Sequence, residues 1–329
     1  MADYKSIHGT NIETVSSDPS NPVTGQVWYN STDQALKGRT SNPAGAWASG
    51  GALNTARNRL SGAGTATAAL AIGGETDANV AIVEQYDGSS WTEIADLNTA
   101  RKATGGSGTT TAALVFGGND PGGDTDVTES WNGSAWTEVG DLNTTRREVA
   151  GVGAGNTASL AFGGQEAPGA NSKTNENWNG TAWTELADLN TARQAMASSG
   201  INTAALAVGG VVYPPAAAVS ALNETWNGTS WTEIADLNTA RSYVGGSGSG
   251  TTTAALVFGG NTPPITVNTE LWNGTAWAEQ NNLSTARKEL SGAGTSTAAL
   301  AFGGAAPSDS AVTEEWTAPT TATVTFTVS

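Results

Sequence analysis

Six times along this chain a Leu-Asn/Ser-Thr-Ala/Thr-Arg segment is followed, 16 to 18 residues after its Arg, by a Gly-Gly pair. The Arg residues are Arg57, Arg101, Arg146, Arg193, Arg241 and Arg287, and the pairs begin at Gly73, Gly117, Gly163, Gly209, Gly259 and Gly303. Self-similarity at a period of about 45 residues marks an array in which each unit buries its apolar face against the next. A side chain that recurs in every copy is accounted for by the building of the repeat. Most of the chain is thereby removed as a source of catalytic groups.

The second repeat shows the local plan. Ala112-Ala113-Leu114-Val115-Phe116 runs into Gly117-Gly118, Val127 to Trp131 follows after a loop, and Asn132-Gly133 turns the chain into Trp136 to Val139. Short apolar runs bounded by Gly and Asn-Gly predict strands. Asn-Gly is a strong hairpin signal because both central positions of the turn need positive φ. With the segment from Arg101 to Gly108, each repeat has four strands, here a to d. No stretch carries helical periodicity. The expected fold is all-β, a propeller of four-stranded blades. The Arg at the start of strand a, the Gly-Gly after strand b, the aromatic ending strand c and the Trp of strand d at fixed offset resemble the kelch family over residues 45 to 317. The resemblance implies a kelch-like β-propeller with a binding or structural role.

An accounting of Trp residues predicts how the array closes. Strand c carries Tyr86, Trp131, Trp178, Trp226, Trp272 and Trp316, and the first five each precede a strand-d Trp by five residues. Trp316 has no such partner, while Trp47 lies ten residues before Arg57, as every strand-d Trp lies ten before its Arg. Residues near Trp47 are therefore expected to supply the outer strand of the last blade and close a six-bladed ring. The alternating run Thr323 to Val328 is a further strand that competes for that edge, extends it or pairs elsewhere; a seventh, composite blade stays open. The predicted organisation is an arm over residues 1–44 and a propeller over 45–329.

Composition bounds the chemistry. Net charge is −16 and the pI is near 4.3, so the surface repels phosphate backbones and no nucleic-acid partner is expected. There is no Cys, and the single His is His8, which disfavours thiolate or His-based metal and catalytic sites. No cofactor and no metal are expected, nor an enzyme. No apolar run approaches the roughly 18 residues of a membrane helix, and the N-terminus has no apolar signal core, so neither membrane insertion nor an ordinary secretory route is indicated. Asn132, Asn179, Asn227 and Asn273 match a glycosylation sequon, but each sits in the tight c–d turn. The acidic clusters near Glu75 and from Asp120 to Asp126 lack a full calcium-loop pattern.

The six Arg residues offer a ring of cations. The repeated Glu84, Glu129, Glu176, Glu224, Glu270 and Glu314 match them in number, which favours internal ion pairs over anion binding. Variation lies elsewhere. From Gly-Gly to the strand-c Glu the intervening length is 9, 10, 11, 13, 9 and 9 residues, on a scaffold otherwise near constant. Strand alternation brings these b–c loops to the face that also carries the d–a connections. Loops on a rigid scaffold are where binding resides. The longest holds Val212, Tyr213, Pro214 and Pro215; these and Ile265 in the next loop are the binding candidates.

The first 44 residues differ. A turn-rich Asp18-Pro19-Ser20-Asn21-Pro22 precedes a hairpin from Gly25 to Lys37, with Trp28 and Tyr29 as docking candidates. The pattern Asn-Pro-Val-x-Gly-Gln-Val-Trp-Tyr-Asn-Ser-Thr-x-x-x-Leu-Lys is similar to the N-terminal segment of structural proteins of tailed bacteriophages, marine ones especially. That resemblance implies a virion component on tail, fibre or capsid surface, with other virion proteins as partners and a homo-oligomer on the particle; host attachment to a cell-surface protein or glycan is expected of the b–c loop face. The alternative is a cellular kelch-type protein-interaction module.

Overall fold

The computed structural model describes residues 12–23, 25–41, 45–213, 218–319 and 321–326. His8, Pro214 and Pro215 lie outside them. Every regular element described is a β-strand. The chain divides into two compact units, residues 46–317 and the two chain ends, 1–45 with 318–329.

The larger unit contains six four-stranded antiparallel, blade-like sheets. In the second repeat the strands are Gly105–Thr109, Ala112–Phe116, Thr128–Trp131 and Trp136–Glu138, with Trp131 opposite Trp136. The Arg lies in the connection four residues ahead of the first strand, not within it. The last sheet draws on both ends of the unit. Ser291–Gly294, Ala298–Phe302 and Thr313–Thr317 are joined by Ala46–Ser49, and Trp316 stands opposite Trp47. Trp47 Nε1 donates to Thr269 Oγ1 at 3.0 Å, as Trp91 Nε1 does to Thr313 Oγ1 and, at 3.1 Å, Trp183 Nε1 to Thr128 Oγ1. The orphan Trp thus holds the same post as Trp91 and Trp183, bridging its own sheet to the preceding one.

The recurring pentapeptide is a brace. Its Leu is buried in every copy. In five copies its Asn bonds the strand-c carboxylate with both backbone and side chain, as Asn190 N and Nδ2 lie 2.8 and 2.9 Å from Glu224 Oε2, and in the sixth Ser284 N alone bonds Glu314. Its Arg takes the other oxygen, Arg193 Nη2 to Glu224 Oε1 at 2.9 Å, and caps two carbonyls, Gly209 O and Leu222 O. All six guanidiniums are fully buried and ion-paired to the repeated Glu. Burial pushes each guanidinium down in pKa, and the paired carboxylate opposes that shift. None of the six is open to an external anion.

Two residues past each Arg the backbone turns left-handed, at Arg59, Ala103, Glu148, Ala195, Tyr243 and Glu289. These six form a closed circuit of N–H···O=C bonds. Arg59 N donates to Glu289 O, Glu289 N to Tyr243 O, Tyr243 N to Ala195 O, Ala195 N to Glu148 O, Glu148 N to Ala103 O, and Ala103 N to Arg59 O, at 2.8 to 3.3 Å. Below this circuit the innermost strands approach so closely that a Cβ on Gly292 would lie 2.3 Å from Gly246 O. Glycine is required there for contact rather than for φ.

Two repeats carry insertions in the Arg-to-Gly-Gly interval. The third, one residue longer, absorbs it as a bulge between Gly153 and Gly155. The fifth, two residues longer, keeps only Gly245–Gly246 as its first strand. Its Gly248-Ser249 segment then crosses to other sheets: Gly248 O accepts from Gly200 N, Ser249 N donates to Gly294 O, and Ser249 Oγ donates to Gly64 O, at 3.0 to 3.1 Å.

The smaller unit is a four-stranded sheet. Glu13–Val15 runs parallel to Val27–Asn30, which pairs antiparallel with Ala35–Ser41, which pairs in turn with Thr321–Phe326. The expected division at residue 45 places this last strand in the wrong unit: Leu36 stands opposite Phe326 and Ser41 opposite Thr321, so the C-terminal strand completes the arm. Trp28, a docking candidate, is fully buried and donates to Asp18 Oδ1. Asp18 also accepts from Asn30 and Lys37, and these bonds hold its carboxyl at about 2, well below the ordinary range. Trp28 therefore secures the arm's own sheet, and of the two candidates only Tyr29 is exposed.

Candidate recognition face

One end of the larger unit gathers the d–a connections and the b–c loops. The residue after each Arg bridges the residue after each Gly-Gly: Asn58 with Glu75, Lys102 with Asn119, Arg147 with Gln165, Gln194 with Val211, Ser242 with Asn261 and Lys288 with Ala305. The variable loops stand beside the constant turns because these short ladders tie them there. Three longer loops form small hairpins of their own: Asn119–Asp120 with Gly123–Asp124, Gln165–Glu166 with Ala170–Asn171, and Val211–Val212 with Ala218–Val219.

Neighbouring loops are also tied side to side. Asn79 Nδ2 donates to Asn119 O at 2.9 Å and Asn171 Nδ2 to Val211 O at 2.6 Å. Arg147 joins Asp124 of one loop to Gln165 of the next. Among the binding candidates, Val212 is half-buried by pairing with Ala218, Ile265 is half-buried in a bridge to Asn261, and Tyr213 is 45% exposed. Tyr213 is thus an exposed aromatic side chain at the end of a short ladder.

The centre of this face was not singled out from sequence. The left-handed residues place Arg59, Glu148, Tyr243 and Glu289 at the mouth of a cavity of about 140 Å³ that all six repeats line. Its lining also includes Gly, Ser and Ala residues of the inner strands and the side chains of Leu60, Val149, Met196, Val244 and Leu290. Arg59 Nη2 lies 3.2 Å from Glu289 Oε1, Nε 3.7 Å from Glu148 Oε1 and Nη1 3.9 Å from Glu75 Oε2. The Arg59 side chain keeps 31% exposure, against 13% for Glu148 and 7% for Glu289. Burial raises the Glu148 carboxyl to about 7, with Arg59 opposing and Glu289 reinforcing. Burial works against the Arg59 charge, yet Glu148, Glu289, Tyr243 and Glu75 outweigh it and raise its pKa. Burial, then Glu148, also raise the Tyr243 phenol.

A signal for this cluster exists. The second position after the Arg reads Arg, Ala, Glu, Ala, Tyr, Glu across the six copies, a spread of chemistry inside a segment of otherwise constant spacing. The arrangement offers hydrogen-bond donors, acceptors and an aromatic ring around one opening. Among the described residues no His, Cys, Asp and Glu group is placed to hold a metal ion, and no helix is long and apolar enough to cross a membrane. In comparison with known proteins, no family model and no curated protein matches the chain.

Proposed function

We propose that the six sheets are the blades of a closed, kelch-like β-propeller, and that the chain is a non-enzymatic virion protein of a tailed bacteriophage. In this reading the loop face binds the host surface and the arm docks onto other virion proteins. The observation that carries the binding role is the division of labour within each repeat. A Leu-Asn/Ser-Arg-Glu brace is built six times, with Ser284 in place of Asn in the last copy, while the loops beside it differ in length, turn and exposed side chain. The closed circuit of six backbone bonds and the shared last sheet support a ring of six. The virion assignment rests on the resemblance of the segment from Asn21 to Lys37 to phage structural proteins.

Mass spectrometry of purified particles tests the location, and adsorption by particles carrying a shortened 211–219 loop tests the role. Presence in the virion with adsorption lost is the expected result. Absence from every particle fraction would sink the virion reading and favour a cellular kelch-type interaction module.

A further inference from the structure

The axial mouth poses a hydrogen-bonding problem that narrows what can enter it. Arg59 Nε is buried and has no hydrogen-bond partner among the described residues. The nearby Glu148 Oε1, at 3.7 Å, is too far to accept from it directly. With Glu148 ionised, above about pH 7, a group bridging the two has to accept from the guanidinium and donate to the carboxylate. An ammonium cannot accept, and a carboxylate or phosphate dianion cannot donate. A hydroxyl does both. Charge at the mouth is near balance, because Glu75, Glu148 and Glu289 face Arg59 while Lys102 lies 2.5 Å from Glu75 and Lys288 3.4 Å from Glu289, which leaves a neutral ligand the best match. Tyr243 adds a half-buried ring at the same opening, with Lys288 Nζ 5.8 Å from its centroid; an aromatic face suits the apolar side of a sugar. At the far end, Ser249 crosses to Gly64 and Gly294, so the fifth repeat's insertion obstructs the axial space opposite the mouth.

We infer that the axial mouth is a carbohydrate site, taking the hydroxyls of a neutral terminal monosaccharide between Arg59 and Glu148. This deepens, and rests on, the reading of the loop face as a recognition face; it adds a chemical class and a place.

The test is calorimetric titration of the full chain with the methyl glycosides of glucose, galactose, mannose and N-acetylglucosamine, with methyl glucuronide and free lysine as comparators. At least one neutral glycoside is expected to bind at one site per chain, and the two comparators more weakly. Glu148→Gln and Arg59→Met should each weaken that binding about tenfold or more, the size of one lost charged hydrogen bond. Crystals of the wild-type chain soaked in the best glycoside give a readout that needs no variant, with the sugar expected at Arg59 and Glu148. No binding of any neutral glycoside, preference for lysine or glucuronide, binding indifferent to both substitutions, or sugar seated elsewhere would each overturn the proposal. Host-cell binding measured in parallel separates it from the broader reading. Cell binding that survives Glu148→Gln but not loop shortening sinks the sugar site alone. Sugar binding without cell binding sinks the host role alone.

Discussion

Replacing Arg193 by Met probes the brace on which the repeat depends. Methionine keeps an unbranched side chain in the slot and removes the charge. Three acceptors then lose their donor: Gly209 O, Leu222 O and Glu224 Oε1, at 2.8, 2.6 and 2.9 Å. Glu224 is only 2% exposed, so water cannot take the guanidinium's place. Its remaining strong donors are Asn190 N and Nδ2. An uncompensated buried carboxylate makes breaking such a pair cost about 3–5 kcal/mol, more than the pair contributes over an apolar replacement. The double variant Arg193→Met, Glu224→Gln removes the stranded charge, keeps an acceptor for Asn190, and should recover at least about 1 kcal/mol of that loss. Urea unfolding at neutral pH measures both variants. Repeat arrays can lose cooperativity, so the comparison holds only where the denaturant slope is unchanged. A single-variant loss below about 1 kcal/mol, or a double variant no better than the single, would refute the argument that the buried pair matters through its charge.

Trp47→Ala should destabilise the chain by about 3–5 kcal/mol, because Trp47 packs on Phe258 and Trp316 with ring centroids 4.9 and 5.4 Å away; a melting temperature like wild type would show that the last sheet does not need its N-terminal strand. For Glu148, an ordinary value of 4.5 raised to about 7 means the folded chain binds this proton more tightly than the unfolded chain. Stability from this group is intact below pH 4.5 and lost as pH rises through 7, so the melting temperature of Glu148→Gln relative to wild type should climb from pH 5 to pH 8, and parallel curves would refute it. Ala195→Gly, at a left-handed position with φ 53°, should be neutral or stabilising, and Ala205→Gly, fully buried in a strand, should destabilise; equal losses at both sites would contradict this. Particles whose 211–219 segment is shortened to the length of the first repeat's loop should assemble and fail to adsorb, and normal adsorption would make the loop a tolerated insertion.

What the sequence made legible follows from repetition. Six copies turn each recurring residue into a statement about one structural post, which is why Trp47, 269 residues from Trp316, could be placed opposite it by counting alone. The same logic fails where the chain departs from its period. The run Thr321 to Phe326 alternates like a strand in any edge context, and nothing local chooses between the last sheet and the arm; the choice is made by pairing with Leu36 to Ser41, a contact across nearly the whole chain. Trp28 suggested a surface residue because it lay outside the repeat, whereas the arm needs a core of its own and builds it on Trp28 and Asp18. The axial cluster was hidden for the opposite reason. Its residues sit within the most regular segment, where constant spacing masks a change of residue type from copy to copy. In the proposed ring of repeats, a position that faces the axis is met once per copy around a single opening. Variation there composes one asymmetric site rather than six symmetric ones, so Arg59, Glu148, Tyr243 and Glu289 belong together despite separations in sequence of at least 46 residues. The loops vary in length at the rim of the same face, and the left-handed positions vary in chemistry at its centre. A rigid frame with two independent sources of variation at one end is what a recognition surface requires.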